Sequence, residues 1–375
     1  MAGIYVHIPF CRKKCSYCDF YSVVTTGKED VYVEAIASEL KLRKGELCGE
    51  PVRTIYIGGG TPSLLKSQNI GKIFKAIDDN LGCKRLEEFT IEVNPDDVTA
   101  EYVKELKAIG INRISMGVQS FVDSELRSIN RRHTAADAID AVEVIGSCGI
   151  SNISIDLIYG LPGQTLESWQ FSLRQAVALA VPHISCYNLS YEPGTQLYYM
   201  REKGKIKECS DDDCVAMFQV MLEILAKARY EHYEISNFAL AGHYSRHNSS
   251  YWDGTPYLGL GAAAHSFNGC RIRSANVASL GSYIEKISSG QLACGREILS
   301  DEEIYNEFVM LGMRTRQGIA ASELPGRFGQ NLHRHFLEVV SRYVASGLVE
   351  QSAGRYRLSR QGVMLADMVI RDLMS

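Results

Sequence analysis

Three cysteines crowd together as Cys11-x3-Cys15-x2-Cys18, just past an apolar run that ends at Pro9. Proline stops that run because it lacks an N–H and pushes the residue before it away from helical geometry. A short loop can then turn three thiolates toward one point. Three soft ligands suit an iron–sulfur cluster or zinc. Structural zinc asks for a fourth ligand at tetrahedral geometry. His7 is a candidate, but a strand residue before Pro9 is awkwardly placed, and no second cysteine pair stands nearby. Ferredoxin-type [4Fe–4S] sites use four cysteines, so three leave one iron without a protein ligand and open to a small molecule. A cluster fits this spacing best, with zinc and unligated thiols as alternatives. Of the 11 cysteines, the others (Cys48, Cys83, Cys148, Cys186, Cys209, Cys214, Cys270 and Cys294) read as small buried hydrophobes. An odd count without an export signal points to a reducing, cytoplasmic setting.

The elements that must position these thiols alternate along the first 240 residues. Strand-like runs at Ile4–Ile8, Thr54–Ile57, Phe89–Val93, Arg113–Met116, Ile153–Ile158 and Ile184–Leu189 are separated by amphipathic stretches. Helical patterns cover Val31–Lys44, Ser67–Asn80, Ala100–Ile109, Ala135–Ser147 and Leu166–Leu179. Runs read as apolar on both faces and alternating with helices predict a parallel sheet covered by helices. Six units suit a partial (β/α)6 barrel, although spacing alone leaves a doubly wound sheet open. With 375 residues, 46% hydrophobic and 22% charged, the chain has the profile of a globular protein with one large and one smaller domain. No apolar run reaches the roughly 18 residues of a membrane span.

The rhythm breaks after about residue 200, and the predicted division is 1–240, a connecting segment 241–300, and 301–375. The last segment holds helices near Asp301–Arg314 and Gln330–Ser346, then two short strands around a turn and a final helix. That order is winged-helix-like, which raises DNA binding. However, nine arginines balance nine acidic residues there, and the whole chain carries a net charge of −4. A packing module that closes one end of the barrel is the better expectation, with no nucleic-acid partner.

Polar motifs sit at or just beyond the C-terminal ends of the predicted strands, the rim where parallel α/β barrels build their sites. They are Gly58–Thr61, Glu92, Gln119, Asp156 and Tyr187-Asn188, and the segments around them and the cysteines read Tyr5-Val-His-Ile-Pro-Phe-Cys11, Gly58-Gly-Gly-Thr-Pro-Ser63, Glu92-Val-Asn-Pro95, Ser115-Met-Gly-Val-Gln-Ser-Phe121, Asp156-Leu-Ile-Tyr-Gly-Leu-Pro-Gly163 and Glu192-Pro-Gly-Thr195. With the cysteine spacing, they resemble the radical S-adenosylmethionine superfamily over nearly the whole chain. Within it they resemble the subfamily of oxygen-independent coproporphyrinogen III oxidases and HemW-type heme chaperones.

The resemblance implies a [4Fe–4S] cluster on Cys11, Cys15 and Cys18, with S-adenosylmethionine on the open iron. It places Gly59, Gly60 and Thr61 at the methionine ammonium, Glu92 near the methionine end, and Gln119 and Asp156 on the ribose hydroxyls. Arg131 would grip the methionine carboxylate, a task for a forked guanidinium; its plain alternative is a surface arginine beside Arg132. Tyr5 and Tyr17 would line the site and the backbone at Phe20 would contact adenine. The implied chemistry is one-electron reduction, then cleavage of the sulfonium to a 5′-deoxyadenosyl radical, with an electron donor such as a flavodoxin or ferredoxin.

Within the subfamily an oxidase and a heme carrier compete. Cys18-Asp-Phe20 differs from the Cys-x-Cys of the oxidases, and Cys11 lies near the start where the oxidases carry a longer segment. His247-Asn248-Ser-Ser-Tyr251-Trp252 resembles the His-Asn-x-x-Tyr-Trp motif of the heme chaperones. There His247 is the candidate iron ligand, and Tyr251 and Trp252 offer flat apolar surface. The plain alternative is an aromatic loop packed on the barrel with His247 hydrogen-bonded in place. The implied partners are heme and heme-accepting proteins, respiratory or other, with peripheral membrane contact allowed.

Overall fold

The computed structural model describes residues 1–375. Six strand–helix units come first. They are β1 (Ala2–Ile8), α1 (Glu29–Arg43), β2 (Val52–Gly59), α2 (Ser67–Leu81), β3 (Glu88–Val93), α3 (Ala100–Ile109) and β4 (Arg113–Gln119), followed by α4 (Asp123–Ser128), α5 (Ala135–Ser147), β5 (Asn152–Tyr159), α6 (Leu166–Ala178) and β6 (His183–Asn188). β1 to β6 lie side by side in chain order, each parallel to the next. A doubly wound sheet reverses its strand order at a switch point. No reversal occurs between β1 and β6, so the partial barrel is the architecture.

Alternate strand positions divide the two faces. Ile4, Val6, Ile55, Ile57, Ile114, Met116 and Ile155 join the main core against residues of α1, α2 and α5 such as Ile36, Ile73 and Ile145. The positions between them are polar and bond one another: Tyr56 to Glu92, Ser115 to Asp156, Ser154 to His183. The strands are therefore not apolar on both faces. Both faces are buried, but the inner one is a polar lumen.

The chain continues through α7 (Gln196–Glu202), α8 (Asp211–Lys227), β7 (Glu231–Glu234), β8 (Asn237–Ala239), α9 (Arg246–Trp252), β9 (Tyr257–Leu260), β10 (His265–Phe267), β11 (Ile272–Asn276), α10 (Leu280–Ser288) and β12 (Cys294–Ile298). Residues 241–300, expected as a connecting segment, instead prolong the main sheet. β9 pairs in parallel with β1, and β10, β11 and β12 follow antiparallel. The twelve-stranded sheet runs from β12 at one edge to β7 at the other.

The last part comprises α11 (Asp301–Met313), β13 (Ile319–Ala320), α12 (Leu324–Ala345), β14 (Val349–Ser352), β15 (Arg355–Leu358) and α13 (Ala366–Leu373). Its three strands form a small antiparallel sheet, and Tyr305, Val309, Phe336, Val340 and Val369 form a core separate from the main one. Gly329, at φ +81°, breaks α12, a conformation glycine adopts without strain. The long regular stretch therefore begins at Gln330. No helix is long and apolar enough to cross a membrane.

Candidate functional site

The C-terminal ends of β1 to β5 open into a cleft lined by Cys11, Cys15, Cys18, Tyr17, Phe20, Gly59, Gly60, Thr61, Glu92, Gln119, Arg131 and Asp156. The cleft therefore gathers residues spread over more than 140 positions of sequence. Tyr5 is the exception: it does not line the cleft. Its hydroxyl bonds His7 Nδ1 at 3.1 Å and its ring stacks on Tyr56 deeper in the lumen, because β1 turns that position inward well before the mouth.

The Cys11 thiol lies 3.4 Å from Thr61 Oγ1, and Arg131 Nη1 donates to Cys15 Sγ at 3.5 Å. Burial pushes the Cys11 thiol up from its ordinary value and the Cys18 thiol up to about 11. Both are thus neutral thiols near pH 7, and loading a soft metal on them must release protons. Nowhere in the chain do three His, Cys, Asp or Glu side chains already stand at single-ion spacing. The three thiols share one cleft without closing on one point. One tetrahedral zinc needs such convergence, whereas a cluster offers each thiolate a different iron. The donor set fits the cluster.

The glycine run does more than leave room for a ligand. A Cβ on Gly59, at φ +113°, would sit 2.6 Å from the His7 ring, and one on Gly60 would sit 2.8 Å from the Phe10 carbonyl oxygen. Those positions are glycine so that the β2 loop can lie directly against the end of β1, just before the cysteines. Nothing in the spacing of the motifs hints at that approach.

Glu92 is half-buried, accepting from the Tyr56 hydroxyl at 2.8 Å and the Gly59 N–H at 3.0 Å. Burial outweighs these bonds and raises its carboxyl to about 7. Asp156 is also raised, again mainly by burial, and sits 3.4 Å from Ser115 Oγ. Gln119 ends β4 at φ +69°, where the pairing with β5 shifts register. A non-glycine residue held in the left-handed region stores strain, and such residues cluster at sites of function.

Arg131 and Arg132 diverge. Arg132 pairs with Asp96 at 2.7 Å and Asp97 at 3.5 Å. Arg131 points into the cleft with no carboxylate partner. It donates to Asn94 Oδ1 at 2.8 Å and to the Gly117 carbonyl, and its Nε is buried without a partner. An unneutralised, partly unsatisfied guanidinium fits an anionic group on a ligand. Sequence reasoning passed over Asn94, Ser115 and Gly117 as site residues, although all three lay inside motifs already singled out.

The His-Asn-x-x-Tyr-Trp motif lies elsewhere, at the N-terminal ends of the strands. Ser245 caps α9, and the β3 carboxylate of Glu88 accepts the N–H groups of Arg246 at 2.8 Å and His247 at 3.0 Å. His247 is fully buried. Its Nδ1 bonds Thr54 Oγ1 at 2.8 Å, its Nε2 bonds the Tyr251 hydroxyl at 2.9 Å, and its ring stacks on Tyr56. Burial lowers it to about 3, so it is a neutral imidazole. Both nitrogens are thus engaged within the protein, and His247 plugs the lumen from below. Asn248, Tyr251 and Trp252 are half-buried beside it. Among the cysteines expected inside, Cys48 and Cys270 are exposed.

A singly wound six-strand barrel whose mouth gathers three thiols after β1 defines a radical S-adenosylmethionine fold. Residues 5–176 match the Radical SAM superfamily and residues 299–365 the HemN C-terminal domain. The solved coproporphyrinogen III oxidase HemN of Escherichia coli, a radical SAM enzyme, superposes with a TM-score of 0.86 at 25% identity, covering 100% of this chain and 90% of that one. Curated relatives named heme chaperone HemW are 36% identical in Lactococcus lactis (97% of this chain, 95% of the relative) and 35% identical in Bacillus subtilis (98% of each). The chain belongs to the HemW family.

Proposed function

We propose that this protein is a heme chaperone that holds a [4Fe–4S] cluster on Cys11, Cys15 and Cys18, binds S-adenosylmethionine beside it, and hands heme to acceptor proteins. The observation that carries the reading is the near-full-length likeness to relatives named heme chaperone HemW. Phe20 stands where the oxidases of the subfamily have a cysteine, which supports the same side. In the cleft, Glu92 would meet the methionine ammonium, Arg131 with its free Nε the carboxylate, and Gln119 and Asp156 the ribose hydroxyls. The bound cluster supplies one-electron chemistry to the sulfonium, and the protein holds the cofactor in place and limits water. A flavodoxin or ferredoxin would be the electron source, respiratory proteins the first acceptors to try, and the cytoplasm the setting.

The oxidase is the second reading, favoured by the superposition on HemN. One anaerobic preparation separates the two. After reconstitution with iron and sulfide, the carrier takes up heme by absorbance titration and turns over no coproporphyrinogen III. Efficient formation of protoporphyrinogen IX overturns the proposal. So does a Cys11, Cys15, Cys18→Ser variant that loads as much iron as the parent.

A further inference from the structure

A second cavity, of about 640 Å³, lies between the underside of the barrel and the C-terminal domain. That size is within the roughly 300–1,000 Å³ of cofactor and ligand pockets. It is remote from the cysteine cleft. α9, which borders it, is anchored on Thr54 and Glu88 at the starts of β2 and β3, whereas the cleft lies past their ends.

The lining is aromatic on the barrel side and mixed aromatic and aliphatic on the side of the C-terminal domain. Tyr251, Trp252, Tyr257 and Phe267 belong to the barrel side, and Phe308 and Leu311 to α11. All six are only half-buried, their remaining surface left uncovered by protein. The charged part of the lining is four guanidiniums and four carboxylates. Arg273 faces Glu307 at 2.8 Å, and Arg316 is paired with Glu231. Arg327 and Arg355 face no carboxylate. Arg327 lies over the Phe308 ring, 4.6 Å from its centre, and Arg355 donates only to the carbonyls of Gln317 and Gly318. Of the lining carboxylates, Asp253 is spent on its own turn with Thr255, burial raises Glu234 to about 7, and Glu323 lies on the domain side. A cavity with aromatic walls and two unneutralised guanidiniums fits a rigid aromatic ligand bearing two carboxylates.

We propose that this cavity is where an iron porphyrin with two carboxylate side chains sits, its faces against Trp252, Tyr257 and Phe308 and its carboxylates on Arg327 and Arg355. The proposal rests on the heme-carrier reading and gives it a place. No histidine lines the cavity; the hydroxyls of Tyr233, Tyr244 and Tyr251 are bonded to His183, Glu231 and His247, which leaves the thiol of Cys270 and the phenol of Tyr257 as the unengaged donors. Iron there takes a sulfur or oxygen ligand, not imidazole. The C-terminal domain is thereby half of the binding site and more than a packing module.

The test titrates heme into the full chain, parent beside Arg327→Glu, Arg355→Glu and the cavity-filling Leu311→Trp, with iron loading of the cysteine cleft as the folding control. Each variant should load iron like the parent and bind heme at least about tenfold more weakly, the scale of removing one charge-assisted hydrogen bond. The dimethyl ester of the same porphyrin should bind the parent more weakly and the two arginine variants no worse than it binds the parent. The bound ferric heme should carry the electron-spin-resonance signature of a thiolate or phenolate ligand. Parent-like affinity in all three variants, or an imidazole-ligated spectrum, overturns the cavity while leaving the carrier reading intact. A parent that takes up no heme removes both.

Discussion

Glu92 illustrates how a single residue's surroundings set what it can do. Its carboxyl is half-buried beside Tyr56 and Gly59, and desolvation there raises it to about 7, against about 4.3 in an unfolded chain. A group raised on folding holds its proton in the native state through that window while the unfolded state has lost it. Stability therefore falls as pH rises from about 4.3 to 7, and the loss is complete above 7. In ligand-free protein, urea unfolding of the parent against Glu92→Gln should give a difference that shifts by about 3 kcal/mol in favour of the variant between pH 5 and pH 8. A flat difference would mean that Glu92 is already ionised. A cation bound beside it reverses the balance, because the carboxylate is then neutralised. S-adenosylmethionine should bind the parent more tightly at pH 8 than at pH 6, and Glu92→Gln should lose that slope.

At the scale of elements, one buried arginine ties α1 to the strands beyond β1. Arg43 is 1% exposed and donates to Glu39, Glu46, the Gly259 carbonyl, Ser266 Oγ and Ser274 Oγ, all between 2.8 and 3.1 Å. Removing one side of such a network strands the other charges away from water. Arg43→Leu should cost about 3–5 kcal/mol in chemical denaturation; a cost below 1 kcal/mol would show that Glu39 finds other partners. The same network also marks where reading by sequence stops. β1 to β6 were legible because Ile4, Ile55, Ile114 and Ile155 announce a helix-covered face at short range. The rim motifs were legible because each follows its own strand. The partners of Arg43 on the far strands lie more than 210 positions away, and His247 meets Thr54 across 193. No local pattern carries such pairings, so neither the sheet strands within residues 241–300 nor the partners of His247 can be read from their own stretch of sequence. The same holds for Tyr5: its position on β1 is local, but its depth in the lumen depends on where the neighbouring strands end.

At the scale of the molecule, the cysteine cleft and the lower cavity stand at opposite ends of the same strands. β2 runs eight residues from the level of α9 to the glycine loop, and at about 3.3 Å per residue the two are separated by roughly 20 Å. Between them the lumen is filled by Tyr56, Glu92 and His247, bonded or stacked on one another. A ligand held below cannot touch an adenosyl group held above, so hydrogen abstraction from a porphyrin in the lower cavity is ruled out by distance. An oxidase must bring its substrate to the mouth, whereas a carrier can keep cofactor and cargo apart. If the ends are independent, the Cys11, Cys15, Cys18→Ser variant should load no cluster yet bind heme within about threefold of the parent, since no shared side chain links them. Absorbance titration of that variant decides it. Weakened heme binding would mean that the porphyrin seat lies at the cysteine mouth, and that the polar lumen is a wall only in the cofactor-free state.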